Sequence, residues 1–320
     1  MQAWLGRIAT KVLMVAMLAA GAPTGAAAQS ADDVATLNRQ VVQLYGQGKY
    51  REAATVAEEA LALAERVLGG EHPDTLTSVN NLALLYQTQG RYPDAEPLYK
   101  RALEARERVL GKEHPNTLTS VNNLASLYKA QGRYPDAEPL YKRALEARER
   151  VLGREHPQTL TSVNNLAALY QAQGRYPDAQ PLFMRNLEVR ERMFGKEHPN
   201  TVTSVNNLAS LYQDQGRYPE AEALFERVLE ARERMLGKEH PDTVTSVNNL
   251  ASLYQAQARY PEAEALFKRA LDASERVLGK EHPNTLQIVN NLATLYDSQG
   301  RYPEAEPLHK RALEARTRAQ

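Results

Sequence analysis

Histidine and asparagine recur in this 320-residue sequence at a single spacing, and both residue types could do chemistry. Imidazole binds metals and exchanges protons near neutral pH, and an asparagine amide both donates and accepts hydrogen bonds. Six of the seven histidines stand 42 residues apart, each within Glu-His-Pro, and six Asn-Asn pairs share that period. The six periodic histidines are His72, His114, His156, His198, His240 and His282.

The histidines are predicted to have a structural role. Equivalent residues on stacked helices lie about 8–10 Å apart, whereas imidazoles that share a zinc ion each come within about 2 Å of it. Each ring is therefore expected to cap a helix or pack on a neighbouring copy. The sequence shows no phosphate-binding glycine loop, no G-x-S-x-G and no His-Glu-x-x-His motif. We therefore expect no catalytic residues, no metal and no cofactor, and a protein that is not an enzyme.

Composition excludes further classes of function. The chain has no cysteine, which excludes a disulfide scaffold and a cysteine nucleophile. It carries 39 basic and 39 acidic residues, whereas nucleic-acid binders usually show a strongly basic balance. No nucleic-acid partner is therefore expected.

The first 28 residues resemble a secretory signal in their layout. Arg7 and Lys11 are basic, Val12 to Ala20 is uninterruptedly apolar, and Ala26 to Ala28 are small. Cleavage is predicted before Gln29, which predicts an exported protein, periplasmic or secreted, with no membrane span after cleavage. An uncleaved anchor is the alternative, although the apolar stretch is shorter than the roughly 20 residues that span a bilayer.

The rest of the chain, 29–320, is predicted to be one repeat array. Gly48-Lys49-Tyr50 aligns with Gly90-Arg91-Tyr92, so a degenerate first copy begins near Ala31. No room is left for a separate catalytic domain. The copies lie near 31–70, 71–112, 113–154, 155–196, 197–238, 239–280 and 281–320.

Each copy contains two helical patterns. In the first, Leu76, Val79, Ala83 and Tyr86 form one apolar stripe, and Gly90 follows as a left-handed stop. A helix pair of this size cannot bury its apolar faces alone, so neighbouring copies must stack. The predicted fold is all-α: an α-solenoid, a right-handed superhelix of about seven helix pairs.

One turn departs from the pattern. Ala258 stands where the other copies have glycine. If that position is left-handed, alanine should cost about 1 kcal/mol there.

These residues carry a family resemblance. Six features of one copy resemble the tetratricopeptide repeat pattern: Leu82-Ala83-x-x-Tyr86, Gly90, Tyr92, Ala95, Tyr99 and Ala102. The 42-residue unit, with its Leu-Gly-Lys-Glu-His-Pro junction at 110–115 and Asn-Asn-Leu-Ala, resembles the repeats of kinesin light chain. The match covers 31–320. The export signal and the lack of a heptad segment mean that no motor role is implied, and the chain resembles an exported bacterial protein of this repeat type.

The asparagine pairs require compensation, because asparagine is about 0.6 kcal/mol less favourable than alanine inside a helix. On a helical wheel, Asn80 lies in a polar strip with Thr77, residue 84 and Gln87, and Asn81 lies at its margin. A row of such amides could hold the backbone of an extended peptide. Alternatively, each asparagine bonds the backbone of the adjacent helix and helps to set the superhelical angle. The first members are Asn80, Asn122, Asn164, Asn206, Asn248 and Asn290, and the second members are Asn81, Asn123, Asn165, Asn207, Asn249 and Asn291.

The family resemblance also implies which residues would form a peptide-binding site. It implies that the second asparagine of each pair lines a concave groove and contacts bound peptide. Kinesin light chains also present basic residues to acidic peptides, and the matching positions are Arg106, Arg148, Arg190 and Arg232. That series breaks at Ser274.

The expected function is a non-catalytic scaffold whose asparagine-lined groove holds an extended segment of a protein or peptide partner. The alternative is a structural envelope protein that associates weakly with itself by stacking end to end.

Overall fold

A computed structural model describes the backbone of residues 25–319 and the side chains of residues 31–315. Most of the predicted signal segment, 1–24, lies outside the described residues, and its cleavage stays a prediction. Fourteen helices follow one another in residues 25–319, with no strand among them. They are α1 (Gly25–Gly46), α2 (Tyr50–Leu68), α3 (Pro73–Thr88), α4 (Tyr92–Leu110), α5 (Pro115–Ala130), α6 (Tyr134–Leu152), α7 (Pro157–Ala172), α8 (Tyr176–Phe194), α9 (Pro199–Asp214), α10 (Tyr218–Leu236), α11 (Pro241–Ala256), α12 (Tyr260–Leu278), α13 (Pro283–Ser298) and α14 (Tyr302–Ala319).

The helices form two compact units, which we call the N-terminal unit (up to Leu169) and the C-terminal unit (from Tyr170). In each unit consecutive helices pack on one another, and their short loops make them antiparallel neighbours. First helices of adjacent copies also touch, as α1 and α3 do. This packing is typical of a solenoid of about seven helix pairs, so the predicted fold class is confirmed. Within 25–319, no helix is both long and apolar enough to cross a bilayer.

Each first helix whose cap the structure describes begins at a capping histidine. His72 is extended, and its Nδ1 accepts a hydrogen bond from the Asp74 backbone N–H at 3.2 Å. Pro73 occupies the next position, where a missing N–H costs nothing. The same bond recurs at His114, His156, His198, His240 and His282. The predicted structural role of the histidines is confirmed.

The turn between the two helices of a copy is fixed by backbone and side chain together. Gly90 has a φ of 76°, its N–H bonds Gln87 O at 3.0 Å, and the Arg91 N–H bonds Tyr86 O at 2.8 Å, the two bonds of a Schellman motif. The Arg91 guanidinium then lies 3.9 Å from the centre of the Tyr86 ring. Equivalent arginine and tyrosine pairs recur in later copies.

Small apolar side chains let the second helices approach their neighbours. Ala95, Tyr99 and Ala102 are almost fully buried on α4. On the outer face, Arg143 of α6 pairs with Glu107 of α4 at 2.5 Å, and related pairs recur. Exposed ion pairs contribute only about 0–1 kcal/mol each, so the buried alanine and tyrosine contacts dominate the stacking.

The turn at Ala258 is left-handed, with a φ of 58°, and no other non-glycine residue in the described part of the chain has a positive φ. The left-handed conformation on which the sequence-based prediction depended is therefore present, and the energetic cost stays a prediction. Alanine is therefore held here in a conformation that its Cβ disfavours.

Ala258→Gly should stabilise the protein by about 1 kcal/mol, because glycine relieves this strain. Gly216→Ala is the reciprocal change one copy earlier, where φ is 72° and an added Cβ would meet no atom within 4 Å. It should cost about 1 kcal/mol from backbone strain alone. Urea denaturation of both variants measures the two effects, and an unchanged or lower midpoint for Ala258→Gly would contradict this account.

Candidate functional site

The polar side of the first helices is the candidate site. We define the first-helix surface as the positions of Thr77, Asn80, Asn81, Leu84 and Gln87, together with their equivalents every 42 residues. Because neighbouring first helices pack within a unit, these positions form rows that run from copy to copy inside each unit. One row consists of Leu84, Ser126 and Ala168 in the N-terminal unit, and its sequence equivalents in the C-terminal unit are Ser210, Ser252 and Thr294.

The first asparagine is bonded to its own helix in two of the pairs. Asn80 Nδ2 donates to Leu76 O at 2.8 Å, and Asn122 Nδ2 donates to Leu118 O at 2.8 Å. Asn122 Nδ2 also lies 3.5 Å from Ser162 Oγ on the next first helix. The backbone partner is thus the carbonyl four residues earlier, whereas the structural alternative predicted the backbone of the adjacent helix. Asn80, Asn122, Asn164, Asn206 and Asn248 are buried, and Asn290 is half-buried.

The second asparagine reaches back to the preceding copy. Asn123 Nδ2 donates to Asn80 Oδ1 at 3.4 Å, and Asn165 Nδ2 donates to Asn122 Oδ1 at 3.4 Å. In the C-terminal unit, Asn249 bonds Asn206 and Asn291 bonds Asn248, both at 2.9 Å. The structure thus brings the predicted pairs together as an amide ladder within each unit. Asn81 and Asn207 are buried, whereas Asn123, Asn165, Asn249 and Asn291 are half-buried.

The ladder orients an acceptor in the second row. The Nδ2 groups of Asn123, Asn165 and Asn249 are held by the preceding copy, so each amide has a fixed direction. Among the described residues, none donates to their Oδ1 atoms. Each of these half-buried side chains therefore keeps an oriented carbonyl oxygen with hydrogen-bonding capacity left.

The predicted arginines lie beneath this surface. Arg106 and Arg148 are only 8% and 4% exposed. Arg148 Nη1 donates to Gln158 O at 3.1 Å and to Ser162 Oγ at 2.9 Å, and its Nη2 donates to Thr119 Oγ1 at 3.2 Å. Arg106, Arg190 and Arg232 repeat the two Nη1 bonds. Each arginine thus joins a second helix to the next first helix.

Burial leaves these cations poorly solvated. It lowers the pKa of Arg106 and of Arg148 to about 10 each, since burial disfavours the charged form. At neutral pH both remain charged, so the N-terminal unit holds two buried positive charges below its first-helix surface. Their role toward a ligand stays a prediction.

The break in the arginine series has a structural counterpart. Where Ser274 replaces arginine, Ile288 replaces the serine fourteen residues later. Ser274 Oγ then lies 2.7 Å from Thr285 Oγ1. The arginine and its serine partner are exchanged together, which indicates that they act as one packing unit.

Sequence reasoning missed Lys129. It occupies the row that otherwise holds Gln87, Gln171, Gln213, Gln255 and Asp297. Lys129 is half-buried, and burial lowers its pKa to about 8. A row-by-row comparison of the copies would have found it, because it is the one cation in the row.

Comparison with known proteins agrees with this geometry. A family model described as the tetratricopeptide repeat matches residues 32–108, 75–150, 117–185, 158–234, 203–275 and 242–318. The chain belongs to the tetratricopeptide repeat family. None of the curated proteins compared with it matches.

Solved structures with tetratricopeptide repeats resemble the chain. A kinesin-light-chain-type protein with nearly identical TPR-like repeats, from Podosopora anserina, is 32% identical over 64% of this chain and 98% of its own, with a TM-score of 0.53. BtubC (BKLC) from P. vanneervenii is 26% identical over 72% of this chain and 92% of its own, with a TM-score of 0.57. NprR in complex with its cognate peptide NprX shares the fold at 16% identity, over 90% of this chain and 78% of its own, with a TM-score of 0.60.

A concavity lies in the C-terminal tetratricopeptide unit, between α12 and the loop that follows α10. It encloses about 560 Å³ and is lined by Lys238, Glu239, Lys268, Arg269, Asp272 and Arg276, with two alanines. Its cations are largely neutralised: Arg276 pairs with Glu239 at 3.0 Å and Lys268 pairs with Glu264 at 2.7 Å. Internal pairing makes it a weaker candidate than the first-helix surface.

A double-mutant cycle tests the arginine and serine unit. Arg148→Ser should cost about 1–3 kcal/mol by leaving buried groups unpaired, and Ser162→Ile should cost a similar amount by crowding the guanidinium. The double variant reproduces the Ser274 and Ile288 combination. Its loss in the free energy of unfolding should therefore be smaller than the summed losses of the two single variants by about 1 kcal/mol or more. Urea denaturation measures the three variants. Pairing Ser162→Ile with the exposed Arg150→Ser is the control, and additivity in both cycles would contradict the coupling.

Lys129→Gln should stabilise the tetratricopeptide fold at pH 7, because it removes a poorly solvated charge and restores the residue found in four other copies. Between about pH 8 and 10.5 the unfolded chain keeps a proton that the folded Lys129 has lost, so the stability of the parent protein rises with pH in that window. The stability gained by Lys129→Gln should therefore decrease as the pH rises. Thermal melts from pH 7 to 10 measure it, with the exposed Lys112→Gln as control, and a pH-independent gain would disprove the assignment.

Proposed function

We propose that the protein is a non-catalytic scaffold whose first-helix surface holds an extended segment of a partner peptide. The observation that carries this proposal is the presence of oriented, half-buried amide oxygens in each unit, at Asn123 and Asn165 in the N-terminal unit and at Asn249 in the C-terminal unit. Each can accept a backbone N–H from a peptide whatever its side chains are. Asn81 and Asn207 occupy the same sequence position but are buried, and Asn291 Oδ1 already accepts a hydrogen bond from Gln287 Nε2 at 3.0 Å. The buried first asparagines hold the accessible amides in place.

The spacing of the copies suits an extended chain. Packed helices lie about 8–10 Å apart, so equivalent oxygens recur at about that interval within a unit. A polyproline II strand turns once every three residues and rises about 3.1 Å per residue. Backbone groups that point the same way therefore recur about every 9 Å. A peptide in this conformation would present one N–H to each copy.

The arginines favour an acidic ligand. Arg106 and Arg148 carry charge beneath the surface, and Coulomb interactions weaken less with distance where water is excluded. Arg190 and Arg232 occupy the same position in the C-terminal unit. A peptide with acidic side chains would be attracted even though the guanidinium groups do not reach it directly.

Relatives of this architecture support the proposal at the level of fold. NprR was solved with its cognate peptide NprX, and a Rap protein was solved in complex with Competence and Sporulation Factor. From NprR we transfer only that a fold of this kind can hold a peptide. If residues 1–28 act as the predicted signal, the partner is met outside the cytoplasm, in the periplasm or after secretion.

Replacing Asn123, Asn165, Asn207 and Asn249 by alanine should abolish partner capture while the chain remains helical. The mature protein, 29–320, and the four-alanine variant are used as bait in an envelope extract, and bound proteins are identified by mass spectrometry. Circular dichroism confirms the helicity of both.

The matched control replaces exposed Glu104, Glu146, Glu188 and Glu230 on the second helices by glutamine. This change makes the chain more positive, so it should retain or strengthen the capture of acidic segments. Equal capture by the parent and the asparagine variant would refute the first-helix surface as the site. If the parent protein captures no partner and its mass in sedimentation rises with concentration, the result would instead support self-association.

A further inference from the structure

Lys129 breaks the repetition of the first-helix surface. In its row, five of the six asparagine-bearing copies carry an uncharged amide or an acid, and only the third copy of the chain carries a cation. The lysine lies in the last turn of α5, in the N-terminal unit. It sits one helical turn beyond Ser126, which belongs to the row of small side chains.

The residues around Lys129 do not neutralise it. In the preceding copy, the Tyr99 hydroxyl donates to Gln87 Oε1 at 3.0 Å, and Gln87 Nε2 reaches Ser126 Oγ. In the copy of Lys129, the equivalent Tyr141 hydroxyl lies near Ser126, which lowers the pKa of Tyr141 against the rise that burial causes. The position that corresponds to Ser126 one copy later is the apolar Ala168. Among the described residues, no hydrogen bond or ion pair is made by the Lys129 ammonium.

Between Thr77 and Leu169, Lys129 is the one charged residue in the surface rows of the N-terminal unit. Those rows, as defined above, contain no acidic residue over the same range. Arg106 and Arg148 lie beneath the same surface, but they are bonded near the start of α5 and α7, whereas Lys129 lies in the last turn of α5. A ligand side chain with a negative charge would therefore meet one cation and no acidic residue within these rows.

Because the copies are nearly identical, they offer a bound peptide several equivalent positions, and one residue that differs can distinguish these positions. A peptide held only by backbone contacts to the amide ladder could shift by one copy and make the same bonds again. A single charged position removes that equivalence, because only one register places an acidic side chain against it.

We propose that Lys129 receives an aspartate or glutamate side chain of the bound peptide and so fixes the register of that peptide on the first-helix surface. This inference rests on the proposed function and adds to it a ligand chemistry and a position. The half-buried ammonium supplies a charge-assisted hydrogen bond that no other copy in the row can supply. The burial that weakens its hydration also strengthens its attraction for a carboxylate.

Selection from a randomised dodecapeptide library displayed on phage tests the inference. The library is selected in parallel on the parent protein, on Lys129→Gln and on Lys129→Arg. The parent and the arginine variant should enrich peptides with an acid at one fixed place, and Lys129→Gln should lose that preference. A selected peptide should bind Lys129→Gln about tenfold more weakly in fluorescence anisotropy, and changing its acid to the matching amide should cause no further loss.

The double variant Gln87→Lys/Lys129→Gln moves the cation one copy earlier, next to the equivalent tyrosine. It should restore affinity, and a benzophenone at the end of the peptide should crosslink about 42 residues earlier in the chain, as mapped by mass spectrometry. Crosslinks that stay in place would overturn the register assignment.

Failure of the inference and failure of the proposed function give different results. Enriched peptides without a fixed acid, or with the same acid preference on Lys129→Gln, would overturn the role of Lys129 and leave peptide binding intact. A library that yields no enriched peptide on any of the proteins would refute peptide binding itself, and the inference with it.

Discussion

The hydrogen bond from one asparagine to the asparagine of the preceding copy is the contact on which the candidate surface depends. Asn123 can reach Asn80 only if two successive first helices share one rotation about their axes, because one residue of slip would turn the amide by about 100°. The ladder therefore fixes the facing of neighbouring helices. The helix penalty of about 0.6 kcal/mol per asparagine is offset by a net gain of about 0.5–1.5 kcal/mol per hydrogen bond.

The periodicity of the sequence predicted the fold well because the same physical demand recurs in every copy. His72, Gly90 and the apolar stripe each satisfy a local rule of helix start, stop or burial, so they could be assigned without coordinates. Ala258 was predictable for the same reason, since a left-handed turn leaves one position for glycine. Such rules concern the backbone and the side chains nearest to it, and the spacing of residues along the sequence is enough to apply them.

The partners of long polar side chains were less predictable. A helical wheel places Asn80 and Asn81 near the same margin, and only the packing of the preceding copy decides which amide is buried. Arg148 has four side-chain torsions, and its sequence position is compatible with pointing toward a ligand or folding under the surface. Its bonds to Gln158 O and Ser162 Oγ show that it links two helices. This placement also leaves its positive charge beneath the surface, so packing and ligand attraction can coexist in one residue.

Repetition and selectivity oppose each other in such a surface. Identical copies give a peptide several equivalent registers, and confining it to one of about four costs about 0.8 kcal/mol of configurational freedom. Backbone bonds to Asn123 and Asn165 cannot recover that cost, because they are the same in every register. A charge-assisted hydrogen bond contributes about 1.5–3 kcal/mol, which exceeds it. The single lysine at position 129 therefore contributes enough binding energy to select one register. The remaining copies can stay alike while the peptide still binds in that one register.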